Sequence, residues 1–216
     1  MDIELEALPV PGQTLAWLLD PDDPSPRYLT LTKLLGKGED EPTVHSTRAA
    51  IPQAPPALDI LQAQYPQGYW MHPDIGTSPR YRATVWQILV LAQLGIGRCD
   101  ALDRAVRYLF EANQREGGRF RASKEPGDTP IGLNASLLWA LETLGYGDET
   151  GVRSAWSWVT REIGSRTAEA PRPDLSICAA LVKVVWALNA RLRRKDLDSL
   201  DGAGQEAVDL EGLRAS

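Results

Sequence analysis

The sequence predicts an all-α fold, a stack of helical hairpins, on three observations. The chain matches itself at a shift of 50 residues, the matching segments carry apolar residues at helical spacing, and glycine or proline stands at each expected helix end. At that shift Gln64, Gly68 and Trp70 fall on Gln114, Gly118 and Phe120. Leu91, Leu94, Gly95 and Gly97 fall on Leu141, Leu144, Gly145 and Gly147, and Ala105, Tyr108 and Leu109 fall on Ala155, Trp158 and Val159. One inserted residue upstream aligns Ser78-Pro79 with Thr129-Pro130. A fixed period of this size marks a repeated supersecondary unit, and such units bury their apolar faces only by stacking.

Taken in order, residues 1–56 read as an N-terminal abbreviated unit, with a short helix from Pro26 to Leu35 and another around Val44 to Ile51. The proline-rich stretch 52–56 then punctuates the chain before the helix that leads into Gln64. The repeats occupy 57–195. In the first full unit Pro79 opens a helix with apolar residues at 85, 88, 89 and 92 that stops at Gly95 and Gly97. A second helix runs from about Asp100 to near Gln114, with Leu102, Ala105, Val106, Leu109 and Phe110 on one stripe. The next unit repeats this as Pro130 to Leu144 and Val152 to Ile163, with Trp156 and Val159 inward, and 164–174 reads as an exposed loop. A third unit begins in PRPDLSICAALVKVVWALNA, where Trp186-Ala187-Leu188 echoes Trp139-Ala140-Leu141. Residues 196–216 read as a polar C-terminal helix or tail.

Composition limits the function classes. With 216 residues, 43% of them hydrophobic, the chain has material for a sizeable core. The balance of 23 Lys plus Arg against 29 Asp plus Glu supplies no general positive field for phosphates, so nucleic acid is not an expected partner. Cys99 and Cys178 lack zinc or disulfide spacing and read as reduced, buried thiols. The acidic start, MDIELEALPV, does not resemble a signal peptide, and no segment approaches the roughly 18 apolar residues of a membrane span, so the expected location is cytoplasmic.

The doubled turn, Ile60, Gln64, Gly68, Trp70 and again Phe110, Gln114, Gly118, Phe120, resembles the QW motif of the terpenoid cyclase and protein prenyltransferase superfamily, the squalene-hopene cyclase type included. The resemblance covers roughly residues 57–190 and implies a toroid of helices whose inner ring holds the ligand. This chain has room for roughly three full helix pairs and a short one, and so for a partial ring only. Either a homodimer closes the cavity, or an open concave face binds, or the pocket has been lost. Physically, the Gln amide supplies donors and an acceptor for backbone groups at a helix end, Gly permits the reversal, and the ring covers the hydrogen bonds.

The resemblance implies two kinds of chemistry. Protonating cyclases use Asp-x-Asp-Asp, one carboxyl being kept protonated by crowding, and Asp20, Asp22 and Asp23 match those letters, although Pro21 and Pro24 make the stretch read as a turn and helix start. The prenyltransferases hold zinc with Asp, Cys and His. Asp174, Cys178 and His72 or His45 have no convincing spacing for that; Asp174 reads as an acidic first turn, Cys178 as a small core residue and His72 as a solvated loop residue, so neither metal nor other cofactor is expected.

Of seven tryptophans, Trp86, Trp139, Trp156 and Trp186 sit at core spacing. Any that face the concavity would line an isoprenoid pocket, and Trp86 and Trp139 are candidates. Helix starts near Arg80 and Ile131 would bring Arg80, Tyr81, Thr84 and Asn134 to one rim, facing a polar or anionic head group. Three functions follow as expectations: binding of an apolar, isoprenoid-like ligand with the reaction undetermined; a non-catalytic scaffold gripping a protein; or a small class II-type terpene cyclase.

Overall fold

A computed structural model of the chain describes residues 11–73, 77–121, 130–169 and 177–194. Among these residues every regular element is helical and none is a strand, as the sequence predicts. The chain divides into two compact units. One comprises Met1–Gln114 with Arg121–Pro126, the other Arg115–Phe120 with Gly127–Ser216.

In the first unit, α1 (Gly12–Leu18) precedes α2 (Pro24–Leu29), which continues through a π turn at Thr30–Leu34, and α3 (Pro42–Ala50) packs back on α2. Proline in the first turn of α2 and of α3 is where a missing N–H costs nothing. Tyr28, Leu31, Val44 and Ile51 form their shared core. The Tyr28 hydroxyl donates to Glu39 at 2.6 Å, Arg48 reaches the same carboxylate at 3.3 Å, and burial pushes the Tyr28 phenol well above its ordinary value.

After the short α4 (Ala57–Gln62), a hairpin of α5 (Thr84–Gln93) and α6 (Asp100–Tyr108) completes the unit. Val85, Ile88 and Leu91 on α5 and Leu102, Ala105 and Leu109 on or just beyond α6 are fully buried, each large aliphatic contributing about 1.5–3 kcal/mol. A π turn, Leu109–Asn113, ends α6 where the sequence places its end. The start of α5 differs from expectation. Pro79 does not open it, because Tyr81 lies at φ 65° and Ala83 is extended, so residues 79–82 form a separate turn and the helix begins at Thr84.

The second unit holds α7 (Ile131–Thr143), α8 (Thr150–Glu169) and a helix over 177–194, here α9. Ile131, Ala135, Leu137, Leu138 and Leu141 are buried on nearly every side of α7, so it is the unit's central rod, and α8 packs along it. The expected loop at 164–174 is helical as far as 169; the remainder lies outside the described residues, as do Asp174 and the segment 196–216.

Both α5 and α7 end in the same cap. Gly95 (φ 78°) donates to the Ala92 carbonyl and Ile96 to that of Leu91; Gly145 (φ 86°) donates to Glu142 and Tyr146 to Leu141. This is the Schellman arrangement, with a buried Ile96 or Tyr146 beyond the glycine, and only glycine takes that φ without strain. The stop signals in the sequence therefore correspond to real caps, at Gly95 and Gly145 and not at Gly97 and Gly147.

Two core assignments need correction. Trp156 is 5% exposed and Trp86 and Trp139 are half-buried, but Trp186 is 56% exposed, so helical spacing alone misplaces it. Cys178 is exposed and Cys99 half-buried, so neither thiol is the enclosed one expected; Cys178 lies on the outward side of α9.

Candidate functional site

The doubled turn is two copies of one latch. In the first, the Tyr65 N–H donates to the Tyr69 carbonyl at 2.9 Å and Gly68 to Tyr65 at 2.8 Å; in the second, Arg115 donates to Arg119 at 2.9 Å and Gly118 to Arg115 at 2.9 Å. Gly68 (φ 98°) and Gly118 (φ 94°) each press on a helix backbone. A Cβ added at Gly68 would lie 2.3 Å from the Arg104 carbonyl oxygen, and one at Gly118 2.2 Å from that of Ser154. Glycine is required twice over, by dihedral angle and by close approach.

The terminal ring is buried in both turns, Trp70 at 3% exposure and Phe120 at 0%. Its backbone is held by the residue 14 places onward. The Trp70 N–H donates to Thr84 Oγ1 at 3.1 Å, while the Phe120 N–H donates to Asn134 Oδ1 at 2.7 Å and Asn134 Nδ2 donates back to the Phe120 carbonyl at 3.0 Å. Thr84 and Asn134 are fully buried. They are not rim residues open to a head group: their polar atoms are taken up in closing the latches. Their correspondence at the 50-residue shift was the available signal for that shared role.

Gln64 Nε2 donates to the Ala101 carbonyl at 2.8 Å and the Gly68 carbonyl at 3.3 Å, while Arg104 donates to Gln64 Oε1 at 3.0 Å. The amide thus ties the turn to the first turn of α6. The orphan carbonyl at the end of α4, that of Ile60, is satisfied instead by the Trp70 indole at 2.7 Å.

Three predicted site residues come together on the surface of the first unit. The Arg80 guanidinium lies 4.9 Å from the Tyr81 ring centroid, and the Tyr81 ring meets the Trp86 ring at 5.3 Å, tilted by 58°. Tyr81 is 63% exposed in a left-handed conformation that bulky residues avoid. Its carbonyl accepts from Gln87 Nε2 at 2.9 Å, and Trp86 Nε1 donates to the Thr77 carbonyl at 2.8 Å, so the Tyr81 backbone and the Trp86 ring are anchored through polar groups on α5 and its preceding turn. No motif or spacing marks Gln87 for this part in the sequence. Exposed His72 lies in the same loop region.

The other candidates are separate. Asp20, Asp22 and Asp23 are exposed on the turn between α1 and α2, where the Asp22 N–H donates to Asp20 Oδ1 at 3.0 Å and Asp23 sits at the start of α2. That is a solvated turn, without the enclosure that keeps a carboxyl protonated for acid catalysis. Trp139 is a half-buried residue of α7 in the second unit.

The second unit also holds a buried carboxylate, Glu142, which no motif or spacing marks in the sequence. Glu142 accepts from Trp156 Nε1 at 2.8 Å and from Arg194 Nε at 3.1 Å, and Arg194 also pairs with Asp148 at 2.6 Å. The Glu142 and Asp148 carboxylates hold the Arg194 guanidinium above its ordinary value against the opposing effect of burial. A fully paired group of this kind is structural. Among the described residues no group of three His, Cys, Asp or Glu side chains converges as a metal site, and no helix is long and apolar enough to cross a membrane. Comparison of the chain with family models, with curated proteins and with solved structures gave no match.

Proposed function

We propose that this chain is a non-catalytic binding module built from cyclase-like helical hairpins, and that the Arg80–Tyr81–Trp86 ladder is where a protein partner docks. The observation carrying this reading is the exposed Tyr81 ring, borne on a backbone at φ 65° and in contact with both a guanidinium and an indole. Arg, Tyr and Trp are the residues that dominate interface energetics, and backbone strain persists where surrounding structure maintains it for use. Against catalysis stands the employment of the remaining candidates: Thr84 and Asn134 close latches and the three aspartates occupy a solvated turn.

Tyr81→Gly separates function from folding. Glycine adopts φ 65° without strain, so the variant keeps or gains up to about 1 kcal/mol of stability while losing the ring. Wild type and Tyr81→Gly would be compared by affinity capture from the native host, followed by native mass spectrometry. A protein retained by the wild type and lost from the variant is the expected result, and equal capture by both would refute it.

The second reading, an isoprenoid-like ligand, is favoured by the resemblance of the turns to the QW motif and by the pairing of apolar rings with a cation that would meet an anionic head group. A co-purifying lipid lost on Tyr81→Gly, with no protein captured, would replace the first reading by this one.

A further inference from the structure

The second unit carries an unmatched surface that is independent of the ladder. Helix α9 buries Ile177, Ala180, Val184 and Ala187 on its inner side, yet its outer side is also largely apolar: Val182, Val185, Trp186 and Leu192 are 51%, 61%, 56% and 62% exposed, with the uncharged Asn189 among them. An exposed helix face carrying this many large apolar side chains ordinarily marks a contact surface.

We propose that this outer face pairs with the same face of a second copy, antiparallel about a two-fold axis near Val185 and Trp186. Charge sets the orientation. The helix has no acidic residue, Arg194 is already paired with Glu142 and Asp148, and Arg191 lies over the Trp156 ring at 5.4 Å. Lys183 is half-buried and turned back on α7, its Nζ 3.8 Å from where a Cβ on Gly132 would stand, which leaves Arg193, at the far end of the exposed face, as the cation to accommodate. Parallel pairing would place the two Arg193 side chains at the same height, whereas antiparallel pairing separates them by roughly 22 Å along the axis, well beyond the screening length at physiological salt.

Area sets the strength. Two such faces, each about 27 Å long and carrying one tryptophan and several aliphatics, bury on the order of 1,000 Å² in total, at the lower end of specific interfaces. Apolar self-complementarity without an acidic counterpart makes a second copy the matching occupant, with C2 symmetry the simplest closed form.

Analytical ultracentrifugation of the full chain from about 1 to about 100 μM spans the range expected for an interface of this size. The wild type is expected to pass from monomer to dimer. Val185→Glu, at an exposed position, is expected to keep the same melting temperature at the dilute end of that range, where both proteins are monomeric, and to raise the dissociation constant by about 100-fold or more, since it buries an unpaired charge. In a Cys178→Ser background, Val185→Cys is expected to give a disulfide-linked dimer, because only residues near the axis face their own copies.

A monomer at every concentration overturns the proposal, as does a dimer that survives Val185→Glu. A wild-type monomer that dimerises on Leu210→Glu also overturns it, by assigning the face to the chain's own C-terminal segment.

Discussion

The first latch is closed by an indole and a threonine, the second by a phenyl ring and an asparagine. Trp70 satisfies the Ile60 carbonyl through its ring nitrogen and needs only one bond from Thr84. Phe120 has no ring donor, and Asn134 instead holds both its N–H and its carbonyl. One backbone geometry is thus secured by two distributions of polar work, between the ring and the residue 14 places onward. What the 50-residue period preserves is the turn and its close approach to the next helix; the chemistry that fastens them varies.

The glycine common to both latches is the position most sensitive to substitution. Gly118→Ala and Gly68→Ala each force a Cβ into a helix carbonyl at a left-handed φ, and each should cost about 3 kcal/mol or more, measured by urea denaturation. Near-neutral effects would mean that the helix backbone does not lie against the turn.

Next in size comes the asymmetry. Asn134→Ala strands two buried backbone groups and should cost about 2–4 kcal/mol, whereas Thr84→Val strands one at similar shape and should cost about 1–3 kcal/mol. Equal losses would remove the distinction between the latches. Trp70→Phe converts the first ring to the type found in the second and leaves the Ile60 carbonyl without its indole donor; the expected loss is about 1–3 kcal/mol from bonding and volume together.

Much of this was legible in the sequence because it rests on local signals. Glycine caps, prolines in first turns and apolar spacing located α2, α3, α6, α7 and α8 to within a few residues, apart from the C-terminal extension of α8. The start of α5 was not legible: Tyr81 departs from ordinary dihedral preference, and no pattern of residue types announces a bulky side chain at positive φ. Thr84 and Asn134 read from the sequence as rim residues, since a polar residue at a helix start has the same letters whether it faces solvent or a buried backbone N–H. Trp186 lies on a helix with apolar residues on every side, where periodicity does not distinguish the inner face from the outer.

Amide hydrogen exchange at Trp70 and Phe120, read residue by residue by NMR, tests the twofold latch most directly. Both N–H groups should be protected like the cores of α5 and α7, with Thr84→Val releasing Trp70 alone and Asn134→Ala releasing Phe120 alone. Exchange of both amides at the rate of an open loop in the wild-type protein would contradict the account.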